Sequence, residues 1–177
     1  LFEEAEVFII TLGLSEVWYD EPTGEVFWRA VPKQYYDPAR HKFRTTTQAE
    51  NLENLRAIHA LIRSRRPETA IVFTLSPVPL TATFRPQSAV VANAVSKATL
   101  RSAIDEFMWG VEDSSCFYFP SYEVVLNAFD HPYMEDRLHV HRHVLELNMA
   151  IFEYYFCESE ITADDLFESY GRARELD

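Results

Sequence analysis

The sequence predicts an α/β fold in which helices cover a mainly parallel sheet. Three short segments rich in β-branched and aromatic residues alternate with longer segments that have helical periodicity. This strand–helix order, repeated three times, is typical of a parallel sheet with helices on its faces. The 177 residues contain no internal repeat or low-complexity linker, and they suffice for one domain with a substantial core.

The three predicted strands of this sheet are residues 6–12, 70–75 and 115–119. The first is almost continuously apolar up to Gly13, which predicts a strand buried on both faces. The second runs into Pro77 and the third ends before Pro120, because proline cannot continue a central strand. Between the first two strands, turn residues precede residues 25–31, which are predicted to form a short edge strand or hairpin arm.

Helices are predicted to follow each strand of the sheet. A capping box at Thr47 and Glu50 opens the first helix, which Pro67 ends, and residues 88–109 form the second. Residues 140–156 form the last core helix. The residues expected to face the core are Leu52, Leu55, Ile58, His59 and Ile62 in the first helix and Val91, Val95, Leu100, Ile104 and Phe107 in the second.

The predicted organisation is one domain over residues 1–158 with a charged terminal helix in residues 159–177, packed on the domain or extending from it. The 28 acidic and 16 basic residues give a net charge of −12, which disfavours binding to nucleic acid or to a membrane surface. Cys116 and Cys157 form no disulfide framework or zinc motif, and both are expected to be buried. No signal peptide or membrane-length apolar stretch is visible, so a cytoplasmic location is expected.

Unusual residues follow the carboxyl ends of the predicted strands, where open parallel sheets bind their ligands. The candidate lining residues are Gly13, Ser15 and Glu16 after the first strand, Ser76 after the second, and Tyr122 and Glu123 after the third. Asp136 and His139 come later, three residues apart. In a turn or a first helical turn, the aspartate can accept from one imidazole nitrogen and leave the other nitrogen to take a proton. From the spacing alone, a helix start with a cap-like Asp136 and a solvated His139 is the more common explanation.

Two further groups of polar residues have a structural and a functional interpretation. A metal cluster could be built from His131, His139, His141, His143, Asp130 and Asp136. Solvated imidazoles at a helix start are more common, so neither a metal nor a cofactor is predicted. Lys97 and Arg101 are expected on a solvated helix face or in ion pairs, with Glu16 or Glu123 as partners, and the alternative is that they bind an anionic part of a substrate.

Several segments taken together resemble the GSCFA-domain family, a bacterial group related to the SGNH hydrolases. They are ITLGLSEVW (10–18), TLSPVPLTATF (74–84), ANAVSKATLR (92–101), YFPSYE (118–123) and DRLH (136–139). The resemblance implies a three-layer α/β/α sandwich and ester hydrolysis or acyl transfer. It implies that His139 is the general base, that Asp136 orients it, and that residues 13–16 help to form the oxyanion hole.

The sequence departs from that pattern in two places. Ser15 stands where the SGNH pattern usually has asparagine. The glycine-serine-cysteine-phenylalanine-alanine motif that names the family does not occur, so the serine nucleophile is expected upstream of Leu1. A missing first strand is also expected to leave an exposed sheet edge or apolar face. Ser76 and Ser121 are expected to shape loops or line the substrate site.

The sequence therefore predicts part of an SGNH-like esterase or acyltransferase that acts on a small-molecule or carbohydrate ester. The alternative is a non-catalytic module of the same shape that binds a carbohydrate or a partner. In that case the contacts would come from the aromatic rings of Trp18, Tyr19, Trp28, Tyr35 and Tyr36.

Overall fold

The computed structural model describes residues 2–177 and has the predicted α/β architecture. Its strands are β1 (Val7–Leu12), β2 (Glu16–Asp20), β3 (Val26–Phe27), β4 (His41–Thr45), β5 (Ala70–Leu75) and β6 (Cys116–Phe119). Its α-helices are α1 (Gln48–Arg65), α2 (Ala89–Gly110), α3 (Ser121–Asn127), α4 (Arg142–Phe156) and α5 (Ala163–Glu175). Short 3-10 helices span Phe2–Glu4 and Lys33–Tyr35.

The parallel sheet has the order β1-β5-β6, so β5 is its central strand. Residues 71–75 of β5 are all buried. On one face, Ile71, Phe73 and Leu75 pack against α1 and α2. On the other face, Phe119 of β6 meets Phe152 and Phe156 of α4 edge to face. Helices on both faces of the sheet give the α/β/α layering that the sequence predicted.

The edge strand β1 differs from its prediction as a strand buried on both faces. Within residues 2–177 it pairs with β5 alone, and Val7 and Ile9 on its outer face are 49% and 55% exposed. Phe8 and Ile10 point the other way and pack on the core. A continuous apolar run does not show whether both faces of a strand are covered, because that depends on the helices that distant segments pack on the sheet.

The helix α1 begins where the sequence predicted, at the cap residue Thr47. The Thr47 hydroxyl accepts from the backbone N–H of Glu50 at 3.1 Å. The Glu50 side chain accepts two bonds from Arg44 of β4 at 2.7 and 2.8 Å. The bonds from Arg44, helped by the backbone N–H of Thr47, lower the pKa of Glu50. An ion pair between sheet and helix thus adds to the local contact.

The buried face of α2 is rotated from the predicted one. Val91 and Val95 are 50% and 43% exposed, so their predicted burial is wrong. The face that packs on the sheet consists of Ala92, Ser96, Lys97, Leu100, Ala103, Ile104 and Phe107. Small residues at the first positions of this face let the helix approach the sheet closely, and they carry little hydrophobic signal.

A second sheet, antiparallel and ordered β3-β2-β4, was not predicted. Trp18 of β2 pairs with Phe27 of β3 on one side and with Phe43 of β4 on the other. Of the predicted edge strand at residues 25–31, only two residues form β3. This sheet follows directly on the first strand of the parallel sheet, so it lies at that strand's carboxyl end.

The helices α3, α4 and α5 share a second apolar core built around Val125, Val144, Leu147 and Ala173. A capping box at Thr162 and Asp165 opens α5. Cys116 is buried as predicted, whereas Cys157 follows the end of α4 and is exposed. Across residues 2–177, every helix is too short or too polar to cross a membrane.

Candidate functional site

The loop that carries Asp136 and His139 is a tight reversal of the chain between α3 and α4. An isolated antiparallel bridge between Tyr133 and Val140 closes it. Inside the bridge, the N–H of Met134 donates to the carbonyl of His139 at 2.8 Å. The pair therefore lies in a closed turn, and α4 begins only at Arg142.

The two side chains of this turn are locked together by hydrogen bonds. Asp136 Oδ2 lies 2.5 Å from Nδ1 of His139, and Oδ1 accepts from the N–H groups of Leu138 and His139 at 2.9 and 3.0 Å. Between them, Arg137 has a φ of 56°, a left-handed conformation uncommon outside glycine. The bond from the His139 side chain, helped by the two backbone N–H groups, lowers the pKa of Asp136 to about 2. The carboxylate is therefore ionised at neutral pH.

The contact with an ionised carboxylate favours one tautomer of the His139 ring. With Nδ1–H donating to an ionised carboxylate, the neutral ring keeps its lone pair on Nε2. Nothing among residues 2–177 hydrogen-bonds to Nε2, and the side chain is 70% exposed. An imidazole held in this tautomer, with the other nitrogen open, can act as a general base. Asp136 also binds backbone N–H groups as a cap would, so the two interpretations of the spacing describe the same carboxylate.

One hydrogen bond attaches this turn to the parallel sheet. The hydroxyl of Tyr133 donates to the carbonyl of Pro77 at 2.7 Å. Pro77 belongs to the loop that follows β5, the central strand. The turn with His139 therefore lies at the carboxyl edge of the sheet, where open α/β sheets hold their ligands.

Lys97 connects two more loops at the same edge. Its side chain is 1% exposed, and Nζ donates to the carbonyls of Gly13 at 2.9 Å and Ser76 at 2.6 Å. The predicted solvated face or ion pair is wrong for this residue, because its partners are carbonyls at the ends of β1 and β5. Burial lowers the pKa of Lys97 to about 8. A buried cation thus fixes the spacing of the two loops.

The loop after β1 is held from α2 as well. The N–H of Ser15 donates to Ser96 Oγ at 2.6 Å, and Ser15 is 3% exposed. The Ser15 side chain is therefore enclosed, although it was predicted to line the site. At Gly13, a Cβ would meet no atom within 4 Å, so its backbone borders open space. Glu16 is fixed by Thr83, whose hydroxyl donates to Oε1 at 2.7 Å.

The other predicted lining residues have partners that hold the fold. Glu123 accepts from Arg101 Nε at 2.6 Å and from the Tyr118 hydroxyl at 2.7 Å, which confirms one of the two predicted ion pairs. Tyr122 is half-buried against the apolar core that α1 and α2 form with the parallel sheet. Ser76 Oγ accepts from the N–H of Val78 at 3.2 Å, and Ser121 Oγ accepts from Asn148 at 3.0 Å.

Within residues 2–177, no three histidine, cysteine or acidic side chains come together as a set of metal ligands. His141 and His143 stack on each other with ring centroids 5.3 Å apart. His131 donates its backbone N–H to Asp177 at 2.9 Å. The histidine-rich segment therefore divides into separate local contacts around the His139 turn.

A second histidine–aspartate pair, which sequence reasoning missed, lies at the opposite edge of the sheet. His59 Nε2 is 2.6 Å from Asp113 Oδ2, and Arg63 Nε donates to the same oxygen at 2.6 Å. Although burial raises the pKa of Asp113, the bonds from Arg63 and His59 outweigh it and hold that pKa well below its usual range. His59 and Asp113 are 54 residues apart in the sequence, so no local motif predicts their contact.

The aromatic residues of the second sheet line a cavity of about 480 Å³ beside Gly13 and Glu16. Trp18 lies at its wall and Trp28 at its rim, and Trp28 is 86% exposed. Tyr35 and Tyr36 are also exposed, at 71% and 45%. Two of the rings singled out from the sequence thus adjoin the loop after β1.

A sequence model of the GSCFA family matches residues 1–152. No curated protein and no solved structure matches the chain.

Proposed function

The chain belongs to the GSCFA family, and from this premise we propose that it carries the acid–base half of an esterase or acyltransferase site. The substrate class is an acylated small molecule or carbohydrate. The observation that carries the proposal is the His139 ring, bonded through Nδ1 to Asp136 and open at Nε2. This is the arrangement of a base and its orienting carboxylate in serine acyl transfer.

In the proposed reaction a serine Oγ attacks the ester carbonyl while its proton passes to Nε2 of His139. The tetrahedral intermediate collapses, and Nε2–H returns the proton to the departing alkoxide, leaving an acyl-serine. Water or a second alcohol then attacks the acyl group with the same help from His139 and releases the serine. Asp136 stays ionised throughout, because its pKa of about 2 lies far below neutral pH.

The proposed reaction also requires a serine hydroxyl within hydrogen-bonding distance of His139 Nε2. No serine hydroxyl in the described part of the chain hydrogen-bonds to His139 Nε2. Ser76 and Ser121 already accept bonds, and Ser15 is enclosed. The proposed reaction thus needs a serine that residues 2–177 do not bring to the base. The 177-residue chain by itself is expected to show no turnover of aryl esters.

Fluorophosphonate labelling of the full-length gene product tests this proposal, because the reagent reacts with a serine activated by a neighbouring base. The wild-type protein is expected to label, and His139→Ala is expected to label at least about 100-fold more slowly. His59→Ala is the matched control, since His59 also pairs with an aspartate but lies at the other edge of the sheet. Absent labelling, or equal rates in wild type and His139→Ala, would contradict the proposal.

A non-catalytic binding module is the second candidate. The observation that favours it is Trp28, exposed at the rim of a cavity that adjoins the loop after β1. The labelling experiment separates the two candidates. A protein that binds a ligand through this cavity, and whose serines all stay unlabelled, would be a binding module.

A further inference from the structure

The cavity beside Glu16 has one rigid aromatic wall. Trp18 packs edge to face against Phe84, Tyr36 and Phe43, with ring centroids 4.7, 5.6 and 5.8 Å away. The backbone of Trp18 is held in place as well, because β2 pairs with both β3 and β4. A wall held from several sides needs little ordering when a ligand binds, so less of the binding free energy is lost.

Trp28 differs from these packed rings. It follows β3 at the rim of the cavity, and the guanidinium of Arg29 lies 4.6 Å from its ring centroid. Exposure alone is not informative, because Trp109 at the end of α2 is 93% exposed and is not a lining residue of this cavity. What distinguishes Trp28 is an exposed ring, oriented by a neighbouring cation, at the mouth of a concave site.

Polar groups stand on the wall of the same cavity. Glu16 is held through Oε1 by Thr83, and among residues 2–177 its Oε2 has no hydrogen-bond partner. Arg29 also lines the cavity and supplies N–H donors. The site therefore combines flat apolar surfaces with one positioned acceptor and one donor.

This combination selects the chemistry of the ligand. A fatty acyl chain would remove water from Glu16 and Arg29 and offer them no hydrogen bonds in return, which is costly. A phosphate or another anion would meet the Glu16 carboxylate and a chain of net charge −12. A pyranose ring has an apolar face of C–H groups for Trp28 and hydroxyls at its edge for Glu16 and Arg29. We propose that the cavity binds a neutral pyranose ring of an oligosaccharide, stacked on Trp28.

One loop contacts both the cavity and the turn that holds His139. Leu80, Ala82 and Phe84 of the loop after β5 line the cavity, and Pro77 of the same loop accepts the bond from Tyr133. Gly13, whose carbonyl Lys97 holds, is also a lining residue. A sugar in the cavity therefore lies at the carboxyl edge of the sheet, and its role as the sugar part of an ester substrate rests on the proposed function.

Titration of the 177-residue chain with cellohexaose, xylohexaose and chitohexaose tests the sugar site. Tryptophan emission and saturation-transfer NMR report binding, and dodecanoate serves as the apolar comparison. We expect at least one oligosaccharide to bind, Trp28→Ala to weaken that binding about tenfold or more, and Trp28→Phe to restore part of it. Trp109→Ala is the matched control and should bind like wild type.

The proposal is overturned if none of the three oligosaccharides binds, if Trp28→Ala binds as well as wild type, or if dodecanoate alone binds at Trp28. His139→Ala should bind sugar like wild type, because its ring is not part of the cavity. The sugar site and the proposed reaction can thus fail separately. If an oligosaccharide binds but no serine is labelled, the sugar site is supported and the proposed reaction is contradicted. If a serine is labelled but no oligosaccharide binds, the proposed reaction is supported and the sugar site is contradicted.

Discussion

Two histidine–aspartate pairs lie at opposite edges of the parallel sheet, and they differ in nearly everything except their composition. At the carboxyl edge, Asp136 binds His139 through Nδ1, and both side chains are open to solvent. At the amino edge, Asp113 binds His59 through Nε2 and also binds Arg63, and its side chain is 15% exposed. In the first pair, Nε2 of His139 stays open to solvent. In the second pair, His59 and Arg63 both bind Asp113 in a mostly buried ion-pair network.

A histidine–aspartate pair is therefore not by itself evidence of catalysis. Arg63 also donates to the carbonyl of Thr69 at 2.6 Å, and Asp113 accepts from the N–H of Ser115 at 2.9 Å. The amino-edge pair thus joins α1 to the starts of β5 and β6. Among residues 2–177, the hydrogen bonds of Asp136 stay within its own turn and connect no helices or strands.

The proposed activity should respond very differently to changes at the two aspartates. In the full-length gene product, Asp136→Asn should lower the proposed acyl transfer about 1,000- to 10,000-fold, because an amide no longer holds the Nδ1–H tautomer or stabilises the imidazolium. Asp113→Asn should lower it only in proportion to any loss of folded protein. Turnover of an aryl ester measures both, and similar losses in the two variants would remove the functional distinction.

Stability should divide the pairs in the opposite direction. Asp113→Asn leaves Arg63 without its carboxylate in a mostly buried position and should lower the free energy of unfolding by about 2 kcal/mol. Asp136→Asn changes an exposed turn and should lower the free energy of unfolding less than Asp113→Asn does. Urea denaturation of the 177-residue chain measures both values. A larger loss for Asp136→Asn would show that its turn supports the fold.

The two edges also differ in how their buried cations are compensated. Arg63 has a carboxylate partner, whereas Lys97 is held by two carbonyls. Its pKa is about 8 in the folded chain and about 10.4 in an unfolded one, so the unfolded state binds more protons between these pH values. The free energy of unfolding should therefore rise with pH in this window, by about 1.4 kcal/mol per pH unit at most.

The variant Lys97→Met keeps an unbranched side chain, one heavy atom shorter, and removes its titration. Its free energy of unfolding should lack the part of the pH dependence that wild type shows between about pH 8 and 10. Denaturation at several pH values gives the difference between the two curves. Parallel curves would mean that Lys97 titrates in the folded chain as it does in water.

The sequence predicted the parallel sheet and its helices because each of these segments carries its own hydrophobic pattern. The antiparallel sheet was missed because β4 has a single apolar side chain, that of Phe43, among five residues. Its strand exists through pairing with β2, which local propensity does not record. The buried face of α2 was predicted incorrectly for a related reason. Ser96 and Lys97 are polar and would be expected in solvent, and their burial depends on hydrogen bonds to distant loops.

The candidate site was predictable in part. The spacing of Asp136 and His139 allowed their hydrogen bond, and their place after the third strand of the parallel sheet put them at its carboxyl edge. The left-handed conformation of Arg137, which closes the turn, could not be predicted from the sequence, because arginine has no preference for that conformation. The long-range contacts of Lys97, Ser96 and Tyr133 depend on chain segments far apart and needed the structure.

Long-range ¹H–¹⁵N NMR of the 177-residue chain measures directly whether His139 is held as the Nδ1–H tautomer with Nε2 open. At about pH 8, where a free imidazole is mostly neutral, His139 should show a protonated Nδ1 and an unprotonated Nε2. His59 should show its proton on Nε2, since that nitrogen faces Asp113. A proton on Nε2 of His139, or rapid exchange between its tautomers, would contradict the claim.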